Sequence, residues 1–266
     1  MELLQVETDV GLIREDNEDV VLALSHPKDN TIKLLLAADG MGGKEKGEVA
    51  SEYVSSFIKN WFLKQNSQKF SDLEEIQEKL CQYIKKINRL FIKEYGQDKM
   101  GTTLIVAIIN SHDTLLVNVG DSRGYIYRKK KLIQLSEDAS LVWKYYKDKK
   151  VRKDDLRFFA SNSIVTSCIG IHEKLCWTTS LIIKNDYDMI FLLTDGVTDN
   201  ITDSKMKKLI HQVPKRSLLS SFIHEAVYVD QHFHIPFYLK RRYLENFILP
   251  FPGRDNASGA IYIKEV

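Results

Sequence analysis

Asp39 closes the apolar run Leu34-Leu35-Leu36-Ala37-Ala38 and is followed by Gly40-Met41-Gly42-Gly43. A run of that length reads as a buried strand. The glycines let a ligand come close to the main chain, so the carboxylate is held at the mouth of a rigid element. Bare, it would be poorly tolerated, because desolvation favours the neutral form, and a cation is the simplest remedy. For this stretch by itself, an aspartate that merely opens a turn is the plainer alternative. The pattern recurs, however. Met189 to Thr194 leads into Asp195-Gly196, Leu115 to Val119 into Gly120-Asp121-Ser122-Arg123, and Asp255 stands in Gly253-Arg254-Asp255-Asn256 just before the last alternating strand. Four strand-edge aspartates point to hard, oxygen-liganded cations such as magnesium or manganese. Zinc does not fit, since no His or Cys cluster has its ligand spacing. His232-x-His234 reads as exposed or packed histidines.

These carboxylates need strands and helices to hold them. Residues 2–10 and 19–25 read as strands around the polar turn Arg14-Glu15-Asp16-Asn17-Glu18-Asp19. Val49 to Phe62 and Leu73 to Phe91 repeat apolar residues at helical spacing, which predicts two long amphipathic helices packed by those faces, with Ser71 capping the second. Strands are expected at 103–109, 115–119, 124–128 and near Leu132, with Asn110-Ser111-His112-Asp113 as a hairpin turn. Leu175–Ile183 and Met189–Leu193 read as a further antiparallel pair. Helices follow at 203–212, capped by its aspartate, and at 217–227, and the chain ends in a strand from Ala257 to Lys264. Strand pairs alternating with helix pairs predict an α+β fold with antiparallel sheets.

Composition narrows the class. With 266 residues, 44% hydrophobic, 28% charged and a net charge of +2, the chain has the make-up of one large globular domain. The overall charge gives no reason to propose nucleic acid or an anionic membrane as partner. No apolar run approaches the roughly 20 residues that span a bilayer, and the first residues lack the features of a signal peptide. Cys81, Cys168 and Cys176 are odd in number and form no CxxC pair, which fits a reduced, cytoplasmic setting. Between Lys144 and Arg157 seven Lys/Arg face three Asp. That run reads either as a solvated helix face or as a flap near an anionic substrate.

In this order the sequence carries Arg14-x-x-Asn17-Glu18-Asp19, Asp39-Gly40-Met41-Gly42-Gly43, Gly101-Thr102-Thr103, Gly120-Asp121-Ser122-Arg123, Asp195-Gly196-Val197-Thr198-Asp199 and Arg254-Asp255-Asn256. The set resembles the metal-dependent protein Ser/Thr phosphatases of type 2C, and Met41 and the compact size are similar to the bacterial branch. The resemblance implies a four-layer αββα sandwich, two central antiparallel sheets flanked by helix pairs. It implies Asp39 as a bridge between two manganese or magnesium ions, Asp195 and Asp255 as further ligands of the first, and Glu18 and the Gly40 carbonyl on the second. Asp121, with Asp195 and Asp199, would hold a third ion. Arg14 would bind the substrate phosphate, and Asp19 would accept hydrogen bonds behind the ligands. The implied reaction is hydrolysis of phosphoserine and phosphothreonine by a metal-bridging hydroxide. The implied partners are phosphorylated proteins, a cognate Ser/Thr kinase and its substrates; the oligomeric state is left open.

That chemistry suits the residues. A phosphomonoester hydrolyses extremely slowly unaided, paired cations generate hydroxide at neutral pH, and a guanidinium fork aligns the phosphate. A pseudophosphatase that only binds phosphoproteins, or an esterase for small phosphomonoesters, would keep the same motifs. Two departures from the family stand out. Met41 occupies a position where some relatives carry a histidine able to donate a proton. Ser163-Ile164-Val165-Thr166-Ser167 lacks the arginine of the family's Asn-x-Ile-Thr-Arg run. Residues 228–252, rich in aromatics and interrupted by Pro236, Pro250 and Pro252, read as an insertion in a single 1–266 domain. Two uses are open for it: to cover a sheet edge, or to dock a partner while leaving the metal centre alone.

Overall fold

The computed structural model describes residues 2–42, 47–97, 99–183, 186–229, 234–243 and 246–264. Gly43, His232 and Phe233 lie outside the described residues. The first third of the chain comprises β1 (Leu3–Asp9), β2 (Asp19–His26), β3 (Asp29–Met41), α1 (Gly47–Lys64) and α2 (Leu73–Tyr95). Then come β4 (Gly101–Thr102), β5 (Leu104–Ile109), β6 (Asp113–Val119), β7 (Arg123–Arg128), β8 (Lys131–Gln134) and the short α3 (Trp143–Lys147). The remainder holds β9 (Thr178–Ile183), β10 (Met189–Leu193), α4 (Asp195–Thr198), α5 (Asp203–Gln212), α6 (Leu218–Tyr228), α7 (Phe237–Arg242) and β11 (Ala257–Ile263).

Two antiparallel sheets form the centre. One has the order β1-β11-β10-β7-β8; the other runs β2-β3-β5-β6-β9, with β4 paired to β3. The alternation of strand side chains explains why β3 and β10 read as unbroken apolar runs. From β3, Leu35 and Ala37 enter the layer between the sheets, while Leu34, Leu36 and Ala38 pack against α1 and α2. From β10, Ile190 and Leu192 point inward, while Met189, Phe191 and Leu193 meet α5 and α6. The result is the expected four-layer αββα sandwich. The sheets approach closely at Gly124, where an added Cβ would lie 2.4 Å from Leu116 Cδ1. Among the described residues, no helix is long and apolar enough to cross a membrane.

Several local expectations need correction. Thr178–Ile183 and Met189–Leu193 do not pair: β9 joins β6 at the edge of one sheet, and β10 lies between β7 and β11 in the other. Sequence neighbours make good hairpins only when both can sit in one sheet, and β10 is needed where both its faces are buried. The cap of α2 is Asp72, whose Oδ1 accepts from the N–H groups of Glu74 and Glu75, and the cap of α5 is Thr202 rather than Asp203. The 138–163 stretch is no long solvated helix. It folds as α3 and two 3-10 turns (Lys153–Phe158, Ala160–Ser163), with Arg157 buried. Ser167, at the position of the family's arginine, is buried and exchanges hydrogen bonds with the backbone of Cys176 (3.0 and 2.9 Å).

Among the described residues, the late segment packs on the 138–163 stretch and not along a sheet edge. Leu239, Ile235, Tyr243 and Phe247 pack on Val142, Trp143, Leu156 and Phe159 of the 138–163 stretch. Ile248 N donates to Phe158 O (2.8 Å) and Ala160 N to Asn246 O (2.9 Å), so the two segments also share a short stretch of antiparallel backbone pairing.

Candidate active site

β2 and β3 pair with Asp19 opposite Asp39, so both acids stand at the same end of one sheet. Asp195 opens α4 directly after β10 of the other sheet, and Asp255 lies two residues before β11. The site is thus the seam where the two sheets end together. The backbone of Asp39 is fixed by the Gly101-Thr102-Thr103 turn. Its N–H donates to Thr103 Oγ1 (3.0 Å), and its carbonyl accepts from Thr103 N (2.9 Å) and Thr102 Oγ1 (3.0 Å). Thr103 Oγ1 in turn meets Ser122 Oγ at 2.8 Å, which links this turn to the Asp121 loop.

Gly40 must be glycine. An added Cβ would fall 2.4 Å from Gly47 O and 2.5 Å from Glu18 O. This close approach brings the start of α1 onto Glu18, whose Oε1 accepts from Gly47 N at 2.7 Å. An anionic side chain at a helix N-terminus is favoured by the unpaired amides there.

Asn256 received no role from the sequence reading, yet it ties the loop together. Its Nδ2 donates to Val10 O (3.0 Å) and Asp16 O (3.1 Å), and its Oδ1 accepts from Glu18 N (2.9 Å). Its place in the Arg254-Asp255-Asn256 motif was the signal.

The acids form one connected cluster. The Asp39 and Asp195 carboxyls lie close enough to perturb one another strongly. Burial, reinforced by Asp195, Asp19 and Asp255, holds Asp39 well above the usual carboxylate range. Burial, with Asp255 and Asp199, pushes Asp195 up to about 7. Asp19 is raised well above its ordinary value by burial despite accepting from Thr194 Oγ1 (2.9 Å). Asp121 is raised by burial and by Asp195, Asp138 and Asp199. Arg14 reaches into this acid bowl, with Nη2 2.9 Å from Asp255 Oδ2 and Nη1 3.9 Å from Glu18 Oε2.

Among the described residues, no group of three or more His, Cys, Asp or Glu side chains is closed up around a point where one ion could be held. Even so, Asp195 Oδ1 and Asp19 Oδ1 are buried without a hydrogen-bond partner. Clustered, desolvated oxygen donors with unused lone pairs match what a hard divalent cation requires.

Two arginines secure the far side of the bowl. Arg123 is buried against Asp138 (Nη2 to Oδ2 2.6 Å, Nε to Oδ2 2.8 Å) and reaches Thr198 O at 3.4 Å. Arg157 donates to Asp199 O (2.8 Å), and Asn162 Nδ2 donates to Asp199 Oδ2 (2.9 Å). The basic 138–163 stretch thus presses on the site through a buried arginine and an asparagine, and no motif announced either. A cleft of about 300 Å³ opens over the cluster, lined by Arg14, Asp195, Asp199 and Asp255 together with Phe159, Ile248 and Phe251. Among the described residues, neither His nor Cys lines it. Met41 ends β3 beside Gly101 and has no acidic proton to give.

Metal should stabilise this cluster in a pH-dependent way. Asp195 has its pKa raised in the fold, so the stability it contributes is full below about 4, its ordinary range, and is lost as pH rises through about 7. Chelator-treated protein is therefore penalised most at pH 8. Added manganese should raise Tm more at pH 8 than at pH 5.5, where protons already neutralise part of the cluster. Equal increments in melts at the two pH values would count against cation binding by these carboxyls.

The family described as protein phosphatase 2C matches residues 14–223. The chain is 31% identical over 218 residues to the Serine/threonine phosphatase stp of Listeria welshimeri, covering 80% of this chain and 84% of that one. Serine/threonine phosphatase Stp1 from Staphylococcus aureus has the same fold, with a TM-score of 0.81 at 24% identity over 100% of this chain and 96% of its own. The catalytic domain of PstP, solved in complex with 2 manganese ions, aligns with a TM-score of 0.72 at 23% identity, over 98% of this chain and 97% of its own. The match begins at Arg14 and runs past Asp199, across most of the acid bowl, and on that extent the chain belongs to the protein phosphatase 2C family, among its bacterial relatives.

Proposed function

We propose that this protein-serine/threonine phosphatase hydrolyses phosphoserine and phosphothreonine in phosphoproteins with two manganese or magnesium ions held by its acid bowl. The observation that carries the reading is the cluster of desolvated carboxyls around Asp39 and Asp195, with unpartnered oxygens, at the base of a cleft that also holds Arg14. Asp39, Asp195 and Asp255 would hold one ion, Asp39, Glu18 and the Gly40 carbonyl the other, and Asp121 with Asp195 and Asp199 a third. The two manganese ions of the PstP domain support the choice of metal. Bound there, such cations supply hydroxide from water at neutral pH and offset the charge of the phosphate.

The protein's own groups do the rest. Glu18 is anchored by Gly47 N and by Asn256 through its own backbone, so it keeps one orientation. Asp19 accepts from Thr194, which fixes the strand end from which Asp195 projects. Arg14 now pairs with Asp255 and Glu18. Once those carboxylates are neutralised by metal, its planar fork is available to phosphate oxygens, which it holds in line for attack. Phosphorylated proteins of the cytoplasm, including a cognate Ser/Thr kinase and that kinase's targets, are the substrates this reading assigns.

The test is turnover of a phosphothreonine peptide and of p-nitrophenyl phosphate. Both should be hydrolysed with added manganese or magnesium and not after chelation. Equal turnover in excess chelator would overturn the metal mechanism, and p-nitrophenyl phosphate turnover without any peptide turnover would favour a small-molecule esterase.

A further inference from the structure

The cleft over the acid bowl has linings of two kinds. Arg14, Arg254 and the acids Asp195, Asp199 and Asp255 are charged, while Phe159, Ile248, Pro250 and Phe251 form an apolar wall. Phe251 is 54% exposed and Ile248 36%. An aromatic ring left in water at the rim of a polar cleft marks a surface built to be covered.

The wall is also rigid. Phe251 lies between Pro250 and Pro252, whose rings fix φ. Arg254 N donates to Phe251 O (3.2 Å), Leu12 N to Gly253 O (2.6 Å) and Gly253 N to Ala226 O (3.3 Å). On its other side the segment is bonded through Ile248 N to Phe158 O (2.8 Å), and Phe247 packs against Phe159 with the rings tilted by 57° and their centroids 5.1 Å apart. Preorganisation of this kind lowers the entropy lost when a ligand binds. Phe251 is four residues from Asp255, so the wall and the phosphate end of the cleft move as one piece.

Given the phosphatase reading, on which this step rests, we propose that Phe251 and Ile248 are specificity-determining residues that select phosphoprotein substrates with an apolar side chain next to the phosphorylated one. The occupant follows from continuity. With the phosphate at Arg14, the adjoining residues of the same peptide pass along the cleft that Arg14 itself lines, and its exposed wall offers them carbon. Arg254 lines the same cleft and offers an acidic neighbour a partner, so the wall's own preference is read between a large and a small apolar neighbour. The late segment is thereby part of the substrate site and does not leave the catalytic centre alone.

Three phosphothreonine peptides that differ only in the residues flanking phosphothreonine (Leu, Ala or Asp) test this with manganese-loaded enzyme. Wild type should favour the Leu peptide over the Ala peptide by roughly tenfold in kcat/KM, most of it in KM, the scale set by one or two apolar contacts in a pocket. In Phe251→Ala the Leu/Ala ratio should fall to about twofold or less, and in Phe251→Lys the Asp peptide should become the preferred one of the three. The ratio is internal to each variant, so a general loss of activity leaves it readable. Equal turnover of the three peptides by wild type, or an unchanged ratio in Phe251→Ala, overturns the inference. Metal-loaded wild type that hydrolyses none of the peptides defeats the phosphatase reading and this inference with it.

Discussion

Asp39→Asn should lower kcat by at least about a thousandfold, the scale at which a single group acting on the transition state is felt. Asp39 is the acid at which the cluster converges, touching Asp195 directly and lying within the field of Asp19 and Asp255. The amide keeps the size and the backbone contacts to Thr102 and Thr103 but cannot carry charge to a cation. The loss should therefore come without unfolding. Removing one carboxylate from a crowded acid bowl also relieves like-charge repulsion, so the metal-free variant should melt at or above the temperature of metal-free wild type. Steady-state kinetics with saturating manganese and a melt in chelator read both halves. Near wild-type turnover in Asp39→Asn would show that the chemistry is elsewhere.

Asp138→Ala is expected to act on the fold, and strongly. Arg123 is 5% exposed, and burial works against its charge; Asp138 more than compensates, and the guanidinium stays firmly protonated. Without Asp138 the charge stays buried beside Thr198 O with no anionic partner at its Nε and Nη2. Breaking a buried pair from one side typically costs about 3–5 kcal/mol, equivalent in a domain of this size to a fall in Tm of roughly 10 °C. Replacing both partners by apolar residues of similar volume, Arg123→Met with Asp138→Leu, should cost less than Asp138→Ala alone. A single variant as stable as wild type would mean that Arg123 finds another anion, with Asp199 as the nearest candidate.

How much of this could be read from sequence depended on distance along the chain. β3 and β10 were legible because both faces of each are buried and the runs are apolar throughout. Asp39, Asp121 and Asp195 were legible because each closes or follows an apolar strand, and Asp255 because it stands just before the last one. The caps of α2 and α5 were misplaced by one residue, since Ser71-Asp72 and Thr202-Asp203 each offer two good capping side chains and the backbone alone decides between them. The pairing of β9 with β10 failed because local pattern shows that a strand exists, not which sheet has room for it. Arg157 was hidden in a basic run, where composition suggests solvent; burial and three backbone carbonyls of the 198–201 turn claim it instead. The place of Phe251 beside the phosphate end depends on contacts with residues more than ninety positions earlier, and no periodicity carries that information.

The strand order has a consequence for how the enzyme comes into being. Among the described residues, β1 pairs only with β11, and the Arg14–Asp255 and Asp19–Thr194 contacts span 241 and 175 residues. A polypeptide emerging from the ribosome makes β1 long before β11 and must hold it without that neighbour until β11 is released. Arg14 and Glu18 meet Asp255 only at that moment. A chain made only as far as α4 therefore carries three of the strand-end acids but no assembled centre, and dephosphorylation waits until β11 has been added.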